Sequence, residues 1–261
     1  MKNKYNYDVA VVTAVVVETE GIKKRFENWE KKVFPNDTKT DYYITTFNSG
    51  GKERKIVTAQ QTQMGMTACA ILCSKVIEHF RPQYLIMTGI AAGIKSGGGK
   101  QIYGDIIVPD VIWDYSTGKF VGQDEADIQF GDVGFLPRPS FLRLDDELRL
   151  KIKRISERKD FDFKVHIGPM ACGSSVVANE QFVSQRVHSL MPDTEGLDME
   201  SYGVFFSCDN CTQPAPKALV VKSICDYANS EKSDQFQRFA AYTSSEFTRQ
   251  LITEELEYED G

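Results

Sequence analysis

The feature that most constrains this chain is an alternation. Six short apolar runs, rich in β-branched residues, recur along it: VAVVTAVVV (9–17), KIVTAQQ (55–61), YLIMTGI (84–90), DIIVPDVI (105–112), FKVHIGPM (163–170) and KALVVKSI (217–224). A run that is apolar at consecutive positions has no polar face to turn to water, so each reads as a strand covered on both sides, mostly in a parallel sheet. Helical spacing fills the intervals at 19–33, 65–80, 140–158, 179–190, 200–211 and 234–256. In the last of these, Phe236, Phe239, Ala240, Phe247 and Leu251 fall near a 3.6-residue period. Strand and helix in alternation predict an α/β sandwich.

The 261 residues suffice for one large core, so residues 1–261 are expected to form a single domain. No internal repeat or low-complexity linker interrupts them. Residues 114–139 hold no steady period, and so long an irregular stretch in a compact domain predicts a lid or a subunit contact. The acidic tail EELEYEDG reads as a frayed end.

Charge narrows the partners. Against 31 Lys and Arg stand 37 Asp and Glu, a formal net charge of −6, and no basic cluster is interleaved with aromatics. That balance opposes a nucleic-acid surface and favours a small soluble ligand. The cysteines Cys69, Cys73, Cys172, Cys208, Cys211 and Cys225 are scattered through apolar segments, without the dense spacing of a disulfide scaffold, and are expected to be reduced core residues. Cys69 and Cys73 share a helix face, and Cys208-x-x-Cys211 has neither a second pair nor a nearby histidine to complete a zinc set. Lys2 and Lys4 before the first apolar run imitate a signal peptide, but ETEGIKKRF follows with no small-residue cleavage site. No apolar run reaches the ~20 residues of a membrane span, and a cytoplasmic location is expected.

Residues 85–101, LIMTGIAAGIKSGGGKQ, raise the possibility of a phosphate cradle. A nucleotide loop of that kind needs a leading glycine five residues before Gly99-Lys100 and a hydroxyl after the lysine, because loop amides hold the phosphates and the hydroxyl ligates magnesium. Ile94 and Gln101 occupy those places, so the stretch reads as a glycine turn closing a buried strand, with SGGGK a mobile connection beyond it.

In open α/β sheets, ligands bind at the carboxyl ends of the strands. Collected there are Glu18 after the first run, the turn TGIAAGI after the third, Asp198 and Glu200 on either side of Met199 in GLDMESYG, and Asp226 at the end of ALVVKSICD. Each carboxylate also has a plain structural reading: Glu18 as a first-turn helix acid, Asp226 as a cap, Glu200 as an exposed helix-start residue.

Taken in order, TAVVVETE, QMGMTACA, TGIAAGI, YGDIIVPD, GLDMESYGV and KSICDYAN resemble the motifs of the purine nucleoside phosphorylase and methylthioadenosine/S-adenosylhomocysteine nucleosidase superfamily over nearly the whole chain. The resemblance implies a three-layer α/β/α sandwich around a twisted mixed sheet with a barrel-like part, assembled as a homo-oligomer, a dimer or hexamer. It implies cleavage of an N-glycosidic bond of a purine, most readily adenine, nucleoside, with neither metal nor organic cofactor. Carried over by position, Asp226 is the acid toward N7 of the departing base, and the apolar ALVV before it supplies the desolvation such an acid requires. Glu200 grips the ribose 2′ and 3′ hydroxyls, Met199 lines the sugar, and Glu18 is the base that positions and deprotonates water. Ile90, Ala91 and Ala92 form the turn whose small size lets backbone approach ribose and nucleophile. Val176 and Val177 fall where the family stacks an aromatic and offers main-chain groups to the base, Phe236 matches a purine-facing phenylalanine, and Met64 adds apolar area.

Departures from the pattern bear on the nucleophile. The phosphorylases' early G-D-P-x-R loop is absent and Met87 stands in place of their second arginine, so the charge that concentrates phosphate is missing and hydrolysis is expected. Lys222 replaces the nucleosidases' arginine, keeping charge without the planar fork, and Ile90 replaces a serine and offers only its backbone. Lys119, Arg138 and Arg143 in or near the lid leave open a 5′-phosphate or triphosphate. KSICDYAN followed by SDQFQRFAAYTSSEF is similar to domains that accompany signalling or defence modules, which keeps an adenine-nucleotide nucleosidase as an alternative. A phosphate-dependent phosphorylase and a silent nucleoside sensor stand behind it; retention of both Glu18 and Asp226 argues against the sensor.

Overall fold

The structure, a computed structural model, describes residues 4–94, 101–122, 128–130, 133–158, 161–230 and 233–259. The residues of SGGGK lie outside them. Strand β1 (Tyr7–Thr13) leads into helix α1 (Val16–Lys23), and a meander follows of β2 (Glu30–Phe34), β3 (Asp37–Ser49) and β4 (Lys52–Gln60). Then come α2 (Met66–Phe80), β5 (Pro82–Gly93) and β6 (Ile106–Asp114). Three short strands occupy the lid region, β7 (Gly118–Gly122), β8 (Ile128–Phe130) and β9 (Val133–Pro137), before β10 (Phe141–Arg143), α3 (Asp146–Ser156) and β11 (Val165–Cys172). The chain ends through α4 (Glu180–Phe182), which continues as a wide turn over Val183–His188, β12 (Gly196–Asp198), α5 (Ser201–Asp209), β13 (Lys217–Asp226) and α6 (Gln237–Gln250).

Among the described residues, ten strands share one mixed sheet, in the order β10-β6-β11-β12-β5-β1-β4-β3-β2, with β13 pairing both β5 and β6. Because β13 joins β5 in parallel and β6 antiparallel, the strands β5, β12, β11, β6 and β13 close on one another as a barrel-like unit. Strands β1, β5 and β13 are buried almost end to end. Helix α2 packs with α5 and helix α1 with α6, and the sheet lies between as the middle layer. This is the expected α/β/α sandwich.

Register converts this topology into a site. Asp226 of β13 stands opposite Ala92 of β5, and Ala92 also opposes Leu197 of β12. On the other side of β5, Val12 of β1 pairs with Met87, so the chain leaving β1 passes Thr88 and Gly89. Three separate strand ends therefore meet, as the carboxyl-end rule anticipates.

Some expected boundaries change. The helix expected over 19–33 ends at Lys23; Asn28 adopts a left-handed φ of 57°, which asparagine tolerates better than most residues, and β2 begins at Glu30. The first strand stops at Thr13, so Glu18 lies in the first turn of α1 and not at a strand end. The helix expected from 140 starts at Asp146, where the Asp145 side chain accepts from Leu148 N at 3.0 Å, and β10 takes the residues before it. The irregular stretch 114–139 contains the antiparallel sheet β7-β9-β8. No disulfide joins the six cysteines, five of them buried, and the Cys69 and Cys73 sulfurs lie 3.9 Å apart on α2. No helix of the described residues is long and apolar enough to cross a membrane.

Candidate active site

A cavity of about 330 Å³ opens where β5, β12 and β13 end beside the start of α1. Glu18, Glu200 and Asp226 all line it, although they come from the beginning, the last third and the end of the sheet-forming chain.

Glu18 is 2% exposed. One carboxylate oxygen accepts from Ala14 N at 2.6 Å and from Val15 N, the N-cap amide of α1, at 3.1 Å. Its other oxygen accepts from Ile90 N at 2.8 Å. Gly89 makes this approach possible, since a Cβ there would collide with the Glu18 carboxylate. The expected glycine turn is therefore strand: residues 88–93 continue β5, residues 88–92 pair with β13, and it is the missing side chain of Gly89 within that strand that seats the acid. Burial raises the Glu18 pKa, opposed by the Lys222 charge and by the three main-chain donors. A carboxylate buried in this way is both held in place and given affinity for a proton.

Glu200, at the start of α5, accepts from Gly65 N at 3.0 Å and Gln61 Nε2 at 3.4 Å. Beneath the cavity, Lys222 is fully buried, with its Nζ 3.3 Å from Asp198 Oδ2 and 3.6 Å from Glu200 Oε2. Burial alone would lower the lysine's pKa; Asp198, Glu200 and Glu18 together outweigh it and hold the pKa above the ordinary value. Lys222 is therefore a cation shared by three acids, not a group on the cavity wall. Asp198 also accepts from the Ser201 hydroxyl at 2.6 Å, which fixes its orientation.

Asp226 is 4% exposed and pairs with Ala92 near the end of β5. Its Oδ1 accepts from Ala228 N at 2.9 Å, and the Cys225 thiol lies 3.4 Å from Oδ2.

Met64, Ile90, Ala91, Ala92, Val176, Val177 and Met199 line the cavity. Phe236 does not: its ring stacks on Tyr103 at 3.9 Å with 8° between the planes, and from the same turn Asp234 and Gln237 face the cavity instead. A one-turn 3-10 segment at Asp234–Phe236, entering α6, sets that rotation. Lys119, Arg138 and Arg143 line neither this cavity nor the groove beside it. The sequence had shown Asp198 next to Met199, but its common cation with Glu200 emerges only when β12 and β13 are placed on the two edges of β5. Gln61, Tyr115 and Ser175 carried no signal of their own.

The chain belongs to the phosphorylase superfamily, whose family model matches residues 8–256. The protein y4jS of Sinorhizobium fredii, uncharacterised, is 32% identical over 233 residues, which cover 84% of this chain and 54% of the relative. ATP nucleosidase Cap17 of Escherichia coli is 24% identical over 272 residues, covering 94% of this chain and 50% of Cap17. The chain thus spans about half the length of these curated relatives. The solved 5′-methylthioadenosine/S-adenosylhomocysteine nucleosidase of Neisseria meningitidis, in complex with methylthio-immucillin-A, superposes with a TM-score of 0.73 at 21% identity, covering 94% of this chain and 98% of that one, and has the same fold.

Proposed function

We propose that this chain is a purine N-ribosyl hydrolase that cleaves the base–ribose bond of adenine nucleosides or their 5′-modified derivatives. The observation that carries this reading is that two buried carboxyl groups, Glu18 and Asp226, line one cavity together with the Glu200 carboxylate. Glu200 accepts the ribose hydroxyls, and Met199 packs against the sugar. Glu18 takes a proton from water as its oxygen bonds to C1′, while the C1′–N9 bond breaks and its electron pair passes into the purine. Asp226 delivers a proton to N7, so free base and free ribose leave together. Lys222 holds Asp198 and Glu200 in place through ion pairs at 3.3 and 3.6 Å without touching substrate.

The choice of water over phosphate rests on charge. None of the described residues lining the cavity is lysine or arginine, and a phosphate nucleophile needs such a partner. A 5′-phosphorylated adenine nucleotide is the second reading, supported by the similarity to an ATP nucleosidase over 94% of this chain. A homo-oligomer, dimer or hexamer, is also inferred: a groove along α2 and α5 leaves Ile71 55% and Phe206 47% exposed. The compartment inferred is cytoplasmic.

The test incubates the protein with methylthioadenosine, S-adenosylhomocysteine, adenosine, inosine, AMP and ATP, with and without phosphate, and measures base and sugar. Base release without phosphate supports the reading. Release only with phosphate, as ribose 1-phosphate, makes the protein a phosphorylase, and no release from any substrate leaves a sensor.

A further inference from the structure

The catalytic cavity does not end at the base. A second groove, of about 540 Å³, opens beside it and shares four wall residues with it: Tyr115, Ser175, Val176 and Val177. With ribose held at Glu200 and the base against Val176 and Val177, those shared residues face the edge of the purine that points away from the sugar. A substituent on that edge leaves the first cavity and enters the second.

The two spaces differ in chemistry. The described wall of the first carries five carboxyl groups, Glu18, Asp198, Glu200, Asp226 and Asp234; the described wall of the second carries none. Three rings line it, Tyr115, Phe120 and Phe182. Tyr115 meets Phe182 edge to face at 5.8 Å, and Phe120 rests at 5.0 Å on Phe135, which is buried behind the wall. Arg186 closes the box, its guanidinium 3.2 Å from the centre of the Phe135 ring and its Nε donating to Tyr115 O at 3.0 Å. The Tyr115 hydroxyl donates to Ser175 O at 3.2 Å, which fixes the junction between the spaces. At that junction Val176, short and 54% exposed, stands beside the Tyr115 ring. A box of ring faces and edges favours a flat guest, because aromatic contacts add to simple area burial.

We propose that this groove is a subsite for a flat, uncharged aromatic or unsaturated group carried on the exocyclic amine of the purine, so that N6-substituted adenine nucleosides are substrates. The proposal rests on the reading of the main cavity as a purine nucleosidase site.

Its test compares adenosine with N6-benzyladenosine in the wild type and in Ala178→Trp, a variant whose side chain lines the second groove and not the first. The wild type should cleave both with kcat/KM within about tenfold of each other, and the variant should lose about tenfold or more on N6-benzyladenosine alone, the scale set by burial of a ring. Cleavage of N6-benzyladenosine that is slower than that of adenosine by about 100-fold or more in the wild type, or equal losses on both substrates in the variant, overturns the subsite. Calorimetry with the free bases adenine and N6-benzyladenine gives a readout independent of turnover. If no nucleoside is cleaved yet N6-benzyladenine binds, and Ala178→Trp weakens it selectively, the subsite stands and the hydrolytic reading fails. Binding of adenine without N6-benzyladenine, or of neither base, overturns the subsite.

Discussion

Replacing Lys222 by methionine tests the electrostatic core of the site. The lysine is fully buried, with Asp198 at 3.3 Å and Glu200 at 3.6 Å, and its charge also acts on Glu18. Methionine fills similar space but leaves buried carboxylates without their cation, a change that costs about 3–5 kcal/mol. For a chain of this size that corresponds to a fall in Tm of roughly 10 °C. The loss has a predictable pH dependence. Glu18 already holds its proton more tightly in the folded state than in the unfolded one, because burial outweighs Lys222 and the three main-chain donors. Removing Lys222 widens that gap. A group whose folded pKa exceeds its unfolded pKa withdraws stability as pH rises from the unfolded value through the folded one, and returns it as pH falls. The deficit of Lys222→Met, from urea melts followed by circular dichroism, should therefore be large at pH 8 and clearly smaller near pH 5.5. A loss below about 1 kcal/mol at pH 8, or one equal at both values, would refute the shared-cation account, since a surface-like pair is worth no more than that.

Glu18→Gln and Asp226→Asn should each lower kcat by at least ~100-fold in a base-release assay, with melting profiles showing folded protein. Gly89→Ala forces the Glu18 carboxylate from its seat; a displacement near 1 Å costs about 100-fold in kcat, while KM should change little because Glu200 still holds the ribose. The acid limb of the kcat profile should lie above the ordinary glutamate value of about 4.3, because Glu18 must be ionised to accept the water proton and burial raises its pKa.

Much of this architecture is written locally. The strands around Val9, Leu85 and Val220 are legible because burial on both faces demands unbroken apolar runs. Strand β4 of the meander was legible as KIVTAQQ, but β2 and β3 are harder to see, since the burial of β3 is irregular and β2 is mostly exposed. A signal was present there in Gly50-Gly51, whose φ angles of 59° and 74° form the tight turn between β3 and β4 that paired glycines favour. Glu18, Glu200 and Asp226 stood out as acids at element ends. Their common environment did not, because it depends on β12 and β13 flanking β5, which sets Lys222 among them. Phe236 shows the limit of carrying a residue over by position: its place in the sequence matches, yet stacking on Tyr103 turns the ring from the cavity and presents Asp234 and Gln237.

The central claim is that water attacks ribose C1′ with Glu18 as base. Cleavage of adenosine and methylthioadenosine in phosphate-free buffer made with ¹⁸O-labelled water, followed by mass spectrometry of the sugar, measures it directly. The account predicts free adenine and a sugar carrying one ¹⁸O, formed by the wild type and reduced to background in Glu18→Gln. Base release that requires phosphate and yields an unlabelled ribose 1-phosphate, or labelled sugar formed equally fast by Glu18→Gln, would contradict it.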